Sequence, residues 1–393
     1  MITAYETLKL ELDQELKNIL NYWSQNTLDE THGGFVGEID YENNTIDFAS
    51  KGIILNTRIL WAFSAASNYY NKPDYKHICD RSYEYIKRFF NDEKYGGVFW
   101  ELDYKGQPIN TRKQIYAQSF AIYALSEYYL FTKKEAAKTW AIELFKLIEK
   151  HARDTVRNGY TEAFNEDWSP IEDMRLSDKD MNVSKTMNTH LHILEAYTNL
   201  LRIYNSEDLK SALKNLIRLI QQKFLNENYH YDLFFDDNWN LKNRIISYGH
   251  DIETIWLVID AAKAIGDKHL IEQTENTAIK VANTFLNEGI DEEGAVINEK
   301  NLNTDEVDSD RHWWPQMEAL VGLKYVFYLT KDTKYIEASL NIWEFTKAHL
   351  IDKVNGEWHF RVDKNGNVYS QENKVSMWKA PYHTSRACIL IQD

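Results

Sequence analysis

Two kinds of apolar run alternate along the chain. In the first kind, apolar residues recur at helical spacing with Lys and Glu between them, which predicts amphipathic helices. The second kind is apolar on most sides beyond its first turn, which predicts buried helices. The amphipathic runs are Tyr5–Tyr22, Asp74–Phe90, Glu135–Ala152, Asp208–Leu225, Lys268–Leu286 and Asp332–His349. The buried runs begin near Ile53, Ile115, Met187, His250, Trp314 and Tyr382.

Short Gly-rich or aromatic segments punctuate this alternation at intervals of roughly 60–70 residues, which is a repeat signal. Each is typical of a tight turn or a small hairpin. The segments are GGFVGEID, GGVFWELD, NGYTEAF, YHYDLFF, EGAVINE and NGEWHFRV. Six amphipathic helices packed on six buried helices predict an all-α fold, an (α/α)6 barrel with short β-hairpin turns.

The domain organisation follows from the same spacing. The alternative is two separate helical domains. No Pro- or Ser-rich linker divides the chain, and the spacing is even from end to end. We therefore predict one catalytic domain over residues 1–393.

Polar and aromatic residues cluster where each buried run begins. A buried helix that served only the core would have an apolar start. Six polar starts at one end of a barrel therefore indicate a shared pocket there. The clusters are Lys51–Arg58, Arg112–Gln118, Lys185–His192, Ser247–Glu253, Arg311–Glu318 and Lys374–Leu390.

Charge and composition exclude several classes of protein. The formal net charge of -15 argues against a nucleic-acid partner, which needs a basic face. No apolar run reaches the ~18 residues of a transmembrane helix, and the N-terminus does not have the pattern of a signal peptide. Cys79 and Cys388 form neither a disulfide framework nor a metal-ligand pair by spacing. We therefore expect a cytoplasmic protein with no membrane partner.

The histidines are the strongest candidates for chemistry. His250 and Glu253 are three residues apart on one helix face, so the carboxylate can hold one imidazole nitrogen while the other faces the pocket. Asp251 points elsewhere and is interpreted as structural or as a cap. His192 shares a face with Asn188, four residues earlier. A surface or core ion pair remains the alternative for His250 and Glu253, and a satisfied core histidine remains the alternative for each lone histidine.

A metal site is less favoured. His190 and His192 are two residues apart, so their rings diverge on a helix and form a poor clamp, and no HExxH motif occurs. A site assembled across several helices stays open at this point.

Other candidates are a cation, a hydroxyl and two aromatic faces. Arg58 lies in an apolar helix and needs an anionic or multiply hydrogen-bonding partner. Tyr116 can offer its hydroxyl to a ligand. Trp314 and Trp378 are candidate platforms for a sugar ring. Since Trp313 neighbours Trp314 and faces away from it, we expect at most one of the two in the pocket.

Four blocks in order, SKTMNTHLHILEAY, SYGHDIETIWL, DRHWWPQMEALVG and WKAPYH, resemble the cellobiose 2-epimerases of the N-acylglucosamine 2-epimerase superfamily. The likeness also covers KGIILNTRILW, YGGVFW and YAQSFAIYALSEYY, so it extends over essentially the whole chain. One departure is APYHTSR, where that family commonly has CPYHNGR. It leaves His383 in place and bears on substrate preference.

The resemblance implies an (α/α)6 barrel and reversible epimerisation at C2 of a reducing-end aldose, typically cellobiose or lactose. It implies no organic cofactor and no metal, and a small-molecule sugar as partner. We expect a monomer or weak homodimer. It assigns His250 and His383 as the two acid/base catalysts and His192 as a third pocket histidine. The substrate-contacting or supporting positions that it implies are Arg58, Tyr116, Asn188, Glu253, Glu299, Trp314 and Trp378.

The expected chemistry is proton transfer at C2 of the opened sugar. One of His250 and His383 removes the C2 proton, Arg58 and the histidine donors stabilise the cis-enediolate, and the second histidine returns a proton to the other face. His192 and Arg58 assist ring opening. The two histidines must start in opposite protonation states, so a bell-shaped pH–rate profile is expected.

Three alternatives stay open. The substrate could be a monosaccharide, which would make the protein a mannose 2-epimerase or an aldose–ketose isomerase. An (α/α)6 glycoside hydrolase would need two opposed carboxylates, for which Glu253, Glu299 and Glu318 could be proposed. The third alternative is a non-catalytic sugar- or protein-binding module.

Overall fold

The computed structural model describes residues 2–392, with side chains from residue 3 onward. The predicted runs are helices, and the fold is mostly helical. The outer helices are α1 (Ile2–Asn26), α3 (Lys76–Tyr85), α5 (Glu135–His151), α7 (Glu207–Leu219), α9 (Lys268–Glu288) and α11 (Lys334–His349). The inner helices are α2 (Ile53–Tyr70), α4 (Ile115–Thr132), α6 (Met187–Leu201), α8 (Tyr248–Ile265), α10 (Trp313–Thr330) and α12 (Tyr382–Leu390).

The inner helices form a closed ring. Each contacts the next inner helix along the chain, and α12 returns to contact α2. Each outer helix packs on its neighbours in this ring. Because inner helices are covered on all sides, their surfaces are apolar nearly throughout; α2 is buried from Ile53 to Ser67. The arrangement is a helical barrel, and α3 and α7 each end in a single π-helical turn, Ile86–Phe90 and Ile220–Phe224.

Short antiparallel strands join the repeats at one end of the barrel. Five inner helices follow directly on a strand, and that strand pairs with one beyond the next outer helix. A bridge between Ile39 and Val375 joins the last repeat to the first. The strands are β1 (Lys51–Gly52), β2 (Glu101–Leu102), β3 (Pro108–Asn110), β4 (Lys113–Gln114), β5 (Ala163–Phe164), β6 (Lys185–Thr186), β7 (Phe234–Phe235), β8 (Ile245–Ser247), β9 (Glu299–Asn301), β10 (Val307–Asp308), β11 (Arg311–His312) and β12 (Arg361–Val362).

A buried ion pair recurs in these joints. An aspartate in the hairpin after an outer helix accepts backbone N–H bonds, and it also pairs with a Lys or Arg just before an inner helix. This ion pair holds the hairpin against the start of the inner helix. Within residues 2–392 it occurs in five repeats, as Lys51–Asp29, Lys113–Asp92, Lys185–Asp154, Arg311–Asp291 and Lys374–Asp352.

Within residues 2–392, none of the helices combines the length and the apolar character needed to cross a bilayer.

Candidate active site

A cavity of about 170 Å³ opens where the inner helices begin. Every inner helix contributes to its wall or to the residues just behind it, so the six polar starts do converge. All predicted site residues border it except Glu299. The lining is Arg58, Tyr116, Asn188, His192, His250, Glu253, Trp313, Trp314, Phe360, Trp378 and His383. We refer to it below as the inner cavity.

His383 lies in the first turn of α12 and is fixed by a carboxylate from α10. Its Nδ1 lies 2.7 Å from Oε1 of Glu318, and a carboxylate accepts, so Nδ1 carries the proton. This bond sets the tautomer that leaves Nε2 free as a base.

His192 has the same arrangement within α6. Its Nδ1 lies 2.8 Å from Oε2 of Glu195, three residues later on the same helix face. The ring also meets Tyr116 edge-on, with 4.9 Å between ring centroids. His192 is therefore a buried, oriented imidazole whose second nitrogen can reach a ligand.

His250 is held differently from our prediction. Its Nδ1 lies 2.8 Å from Oγ of Ser247, the residue before α8, and Glu253 binds elsewhere. Helical side chains lean toward the helix N-terminus, which brings the His250 ring back onto Ser247. Glu253, one turn deeper, points to the barrel axis.

Glu253 joins a buried cluster around Arg386 of α12. Arg386 donates to Glu195, Glu253 and Glu318, and Tyr382 donates to Glu195. One guanidinium therefore serves three carboxyl groups directly beneath the histidines.

The same cluster bears on metal binding. Within residues 2–392, ligand atoms of Glu253, Glu318 and His383 are close enough together to hold a metal ion. The guanidinium of Arg386 already donates to both carboxylates and supplies the positive charge there. That no metal is required stays a prediction.

Burial and neighbouring charges shift the pKa values of the three carboxyl groups in different directions. Burial, with Glu318 adding to it, raises the pKa of Glu253 to about 7. Burial also raises the pKa of Glu318, against the effect of Arg386. For Glu195 burial opposes ionisation, but Arg386 and His192 together lower its pKa to about 2. Glu195 is therefore ionised, while Glu253 can exchange a proton near neutral pH.

Both candidate catalytic imidazoles are neutral in the empty site. Burial lowers the pKa of His250 to about 3, and His192 adds a smaller effect. Burial lowers the pKa of His383 well below the ordinary value, with Arg58 contributing next. The pKa values are lowered because both rings lie in a desolvated pocket beside other cations. Opposite protonation states of the two histidines in the complex stay a prediction.

Arg58 keeps its charge available to a ligand. It donates to the carbonyl of Trp378 at 2.8 Å and to the hydroxyl of Tyr116 at 2.9 Å. Its guanidinium carbon lies 4.6 Å from the ring centroid of Phe120, and its Nε has no partner among the described residues. No carboxylate in residues 2–392 forms an ion pair with it, so the anionic partner that a buried arginine needs can be a ligand.

Aromatic rings close the inner cavity. Trp314 lies between the two histidines, with its centroid 4.9 Å from that of His250 and 5.4 Å from that of His383. Trp313 borders the cavity as well, against our expectation that at most one of the pair would. It does so because Phe360 packs on its ring at 4.7 Å and holds it beside the opening.

A second space of about 380 Å³ adjoins the inner cavity, and we call it the outer cavity. Asn188, His250 and Trp314 border both. Glu299 lies here, and burial followed by Asp308 raises its pKa to about 7. Segment 174–183 forms much of the opposite wall. The two spaces together form one stepped site.

A further cavity of about 430 Å³ lies behind Glu195 and Arg386, at the other end of the barrel. Its lining includes no histidine, and the Arg386 cluster separates it from the inner cavity. The inner cavity is therefore the candidate site for proton transfer.

Sequence reasoning missed the supporting residues more than the central ones. Glu195 follows His192 at the same spacing as Glu253 follows His250, and that signal could have found it. Arg386 is a charged residue in an apolar helix, which signals buried partners. Glu318 was named only as a carboxylate for the hydrolase alternative. Ser247 and Phe360 carried no such signal.

His190 is structural, which agrees with its omission from the predicted site. Its Nδ1 lies 2.7 Å from the carbonyl of Thr186, and its Nε2 accepts from the backbone N–H of Tyr160 at 2.9 Å. Both ring nitrogens are therefore occupied.

Comparisons with known proteins agree with the sequence resemblance. Residues 33–387 match the model of the N-acylglucosamine 2-epimerase (GlcNAc 2-epimerase) family. The chain is 44% identical over 386 residues to a cellobiose 2-epimerase of Bacteroides fragilis, which covers 98% of both chains. The structure of a cellobiose 2-epimerase from Bacillus thermoamylovorans superposes with a TM-score of 0.94 at 36% identity, covering 98% of this chain and 99% of that one. A D-mannose isomerase of Marinomonas mediterranea is 23% identical over 402 residues, covering 97% of this chain and 96% of the other.

Proposed function

The chain belongs to the N-acylglucosamine 2-epimerase family, and from that premise we propose that it inverts C2 of the reducing-end aldose of β-1,4-linked disaccharides such as cellobiose and lactose. The observation that carries the proposal is the inner cavity, in which three oriented histidines surround a space the size of one sugar ring. The outer cavity continues it and has room for the second ring.

Ring opening comes first, because only the open aldehyde makes the C2 proton acidic. His192 and Arg58 are placed to hold O1 and O2 and to assist this step. The second ring nitrogen of His192 is unused by the protein, and the guanidinium of Arg58 donates only to a carbonyl and a hydroxyl, so its charge is not neutralised. Both can therefore serve the opened substrate.

Proton transfer at C2 then uses His250 and His383. One of them removes the C2 proton as a neutral base, which their lowered pKa values favour. The cis-enediolate carries its charge on oxygen, where Arg58 is the nearest cation that no carboxylate neutralises. The C2 proton ends on a nitrogen of the first histidine. The other histidine must first take up a proton from solvent as the substrate binds, and it then delivers that proton to C2 and returns to its neutral form.

A carboxylate on the Nδ1 side of the His383 ring stabilises the charged imidazole. When Nε2 of His383 takes a proton, Glu318 accepts from Nδ1 of the resulting imidazolium. Rotation about C2–C3 presents the opposite face of the enediolate to the second histidine.

We also infer an (α/α)6 barrel acting as one catalytic domain. The alternation of inner and outer helices and the closed inner ring support the barrel. The lining of the inner cavity, drawn from successive inner helices, supports the single domain. A monomer or weak homodimer stays a prediction that analytical ultracentrifugation tests.

Incubation with cellobiose in D2O, followed by NMR of the products, tests the function. Deuterium at C2 of a glucosyl-mannose product is the expected result. Deuterated glucose from mannose, with cellobiose untouched, would move the assignment to a mannose 2-epimerase. Free glucose from cellobiose would mean hydrolysis and would contradict the two-histidine mechanism.

A further inference from the structure

The repeat that supplies His250 lacks the ion pair found in the other joints. In its hairpin, Asn226 stands where the other repeats have Asp. Two residues before α8 stands Ile246, where four others have Lys or Arg. In this repeat, other residues must therefore connect the hairpin to the inner helix.

His230 and Asp251 connect this hairpin to α8. Nδ1 of His230 lies 2.7 Å from Oδ2 of Asp251, and Oδ1 of Asp251 accepts from the backbone N–H of Tyr231 at 2.8 Å. His230 is in the hairpin, and Asp251 is in the first turn of α8, directly after His250. Both side chains are buried.

Asp251 occupies a position that other repeats use for a neutral side chain. At the fourth residue of their helices, Gln118 and Gln316 accept from the backbone N–H of Val98 and Val296 at 2.8 Å. Here the same position carries a negative charge, and the histidine opposite it balances that charge. In this repeat the ion pair therefore involves the first turn of α8, which carries His250, and not the strand before the helix.

We infer that His230 is a positioning residue, which acts through Asp251 to fix the first turn of α8 and thereby the ring of His250. This inference rests on the proposed function, because it gives the anchor a role in the reaction. In the other repeats the cation of the joint is a Lys or Arg, which stays charged throughout the physiological pH range. In this repeat the cation is titratable.

The surroundings of His230 determine the direction of the pH effect. Asp251 and Tyr248 face it from α8, Glu288 from α9 with Oε2 3.4 Å from its Nε2, and Asp232 from its own hairpin. Burial opposes its charge, but Asp251 and Glu288 raise the pKa of His230 above its ordinary value. The ion pair between His230 and Asp251 is therefore fully formed below about pH 6.5, and it weakens as pH rises through the raised pKa of His230.

Hydrogen–deuterium exchange of the wild-type enzyme tests the anchor without reference to activity. Rates are followed from about pH 6 to about pH 9 and corrected for the intrinsic pH dependence of exchange. We expect the Tyr231 hairpin to lose protection as pH rises, while the Phe35 hairpin, held by Lys51 and Asp29, keeps its protection. Equal behaviour of the two hairpins would overturn the inference.

Variants test the link to His250. We expect His230→Gln to lower kcat on cellobiose about 10-fold or more with little change in KM, since misplacement of a catalytic group costs rate. Adding Asn226→Asp and Ile246→Lys, which rebuilds the pair of the other repeats, should restore kcat and extend activity to higher pH. Lys51→Met is the matched control: it removes a buried pair from a joint without a catalytic histidine and should lower Tm without changing the shape of the pH profile.

These experiments distinguish a failure of the positioning role of His230 from a failure of the proposed function. A pH-dependent hairpin with unchanged kcat in His230→Gln would overturn the positioning role alone. Full activity in His250→Ala would instead contradict the proposed function. If the rebuilt variant does not fold, the exchange experiment still decides the anchor.

Discussion

Nδ1 of His383 donates to Oε1 of Glu318 across 2.7 Å, and the same carboxylate oxygen accepts from Arg386 at 2.7 Å. The candidate base His383 is thus connected through Glu318 to the buried cluster around Arg386. Neither residue can be changed without altering the other's proton chemistry.

Glu318→Gln tests this dependence. The amide keeps the shape and can still accept from Nδ1, but it removes the charge that stabilises the imidazolium. We expect kcat on cellobiose to fall about 10²-fold or more with a small change in KM. The measurement is steady-state kinetics, with the circular dichroism spectrum and Tm as controls for folding. An unchanged kcat would show that Glu318 is structural.

His250→Ala and His383→Ala should each lose about 10²–10⁴-fold in epimerisation rate, since each removes one acid/base group. The histidine that remains can still remove and return a proton on its own face. In D2O we therefore expect slow deuterium incorporation at C2 of cellobiose without inversion, seen by NMR. The double variant should show neither exchange nor inversion, and a single variant that keeps the wild-type rate would remove that histidine from the mechanism.

The acid limb of the pH profile of kcat/KM should lie below the ordinary histidine pKa of about 6.5. Burial lowers the pKa of both His250 and His383, so both bases stay neutral as pH falls to values where an exposed histidine is already charged. The pH profile of kcat, which reports the complex, should fall at high pH if one histidine must carry a proton there. An acid limb near 6.5 would indicate that substrate reaches bases in a solvated site.

Glu299→Ala should separate disaccharides from monosaccharides. Glu299 borders the outer cavity and not the inner one. We expect a higher KM for cellobiose and little change in the exchange of the C2 proton of a monosaccharide. Asn165, a loop residue that hydrogen-bonds locally to Ser169, offers the matched control Asn165→Ala. Equal loss on both substrates would place Glu299 in the reaction itself.

Lys113→Met should destabilise the fold by about 3–5 kcal/mol, since it leaves Asp92 buried without its partner. Adding Asp92→Asn should recover part of this loss, because the uncompensated charge is gone. The free energy of unfolding from urea titration measures both effects. A loss below about 1 kcal/mol, the range of exposed pairs, would mean that water reaches Asp92.

The alternation of amphipathic and apolar runs predicted the helices well. The predicted inner starts lie within two residues of the observed ones, because burial on all sides leaves a strong local signal. The family resemblance rested on contiguous blocks such as SYGHDIETIWL, and the family membership that it predicted is confirmed. The cavity residues were also largely predictable, since a polar side chain in an apolar helix needs either a buried partner or a ligand.

The tertiary structure decided what each polar group binds. Glu253 and His250 share a helix face, yet one binds Arg386, 133 residues away in the chain, and the other binds Ser247. The choice depends on which partners the closed ring brings to the barrel axis, and sequence spacing carries no information about that. The low pKa of both histidines has the same origin, because desolvation is a property of the assembled pocket. The sequence by itself determined the helices, the repeat and most of the residues that line the inner cavity, while only the packing of distant helices decided their partners and their pKa values.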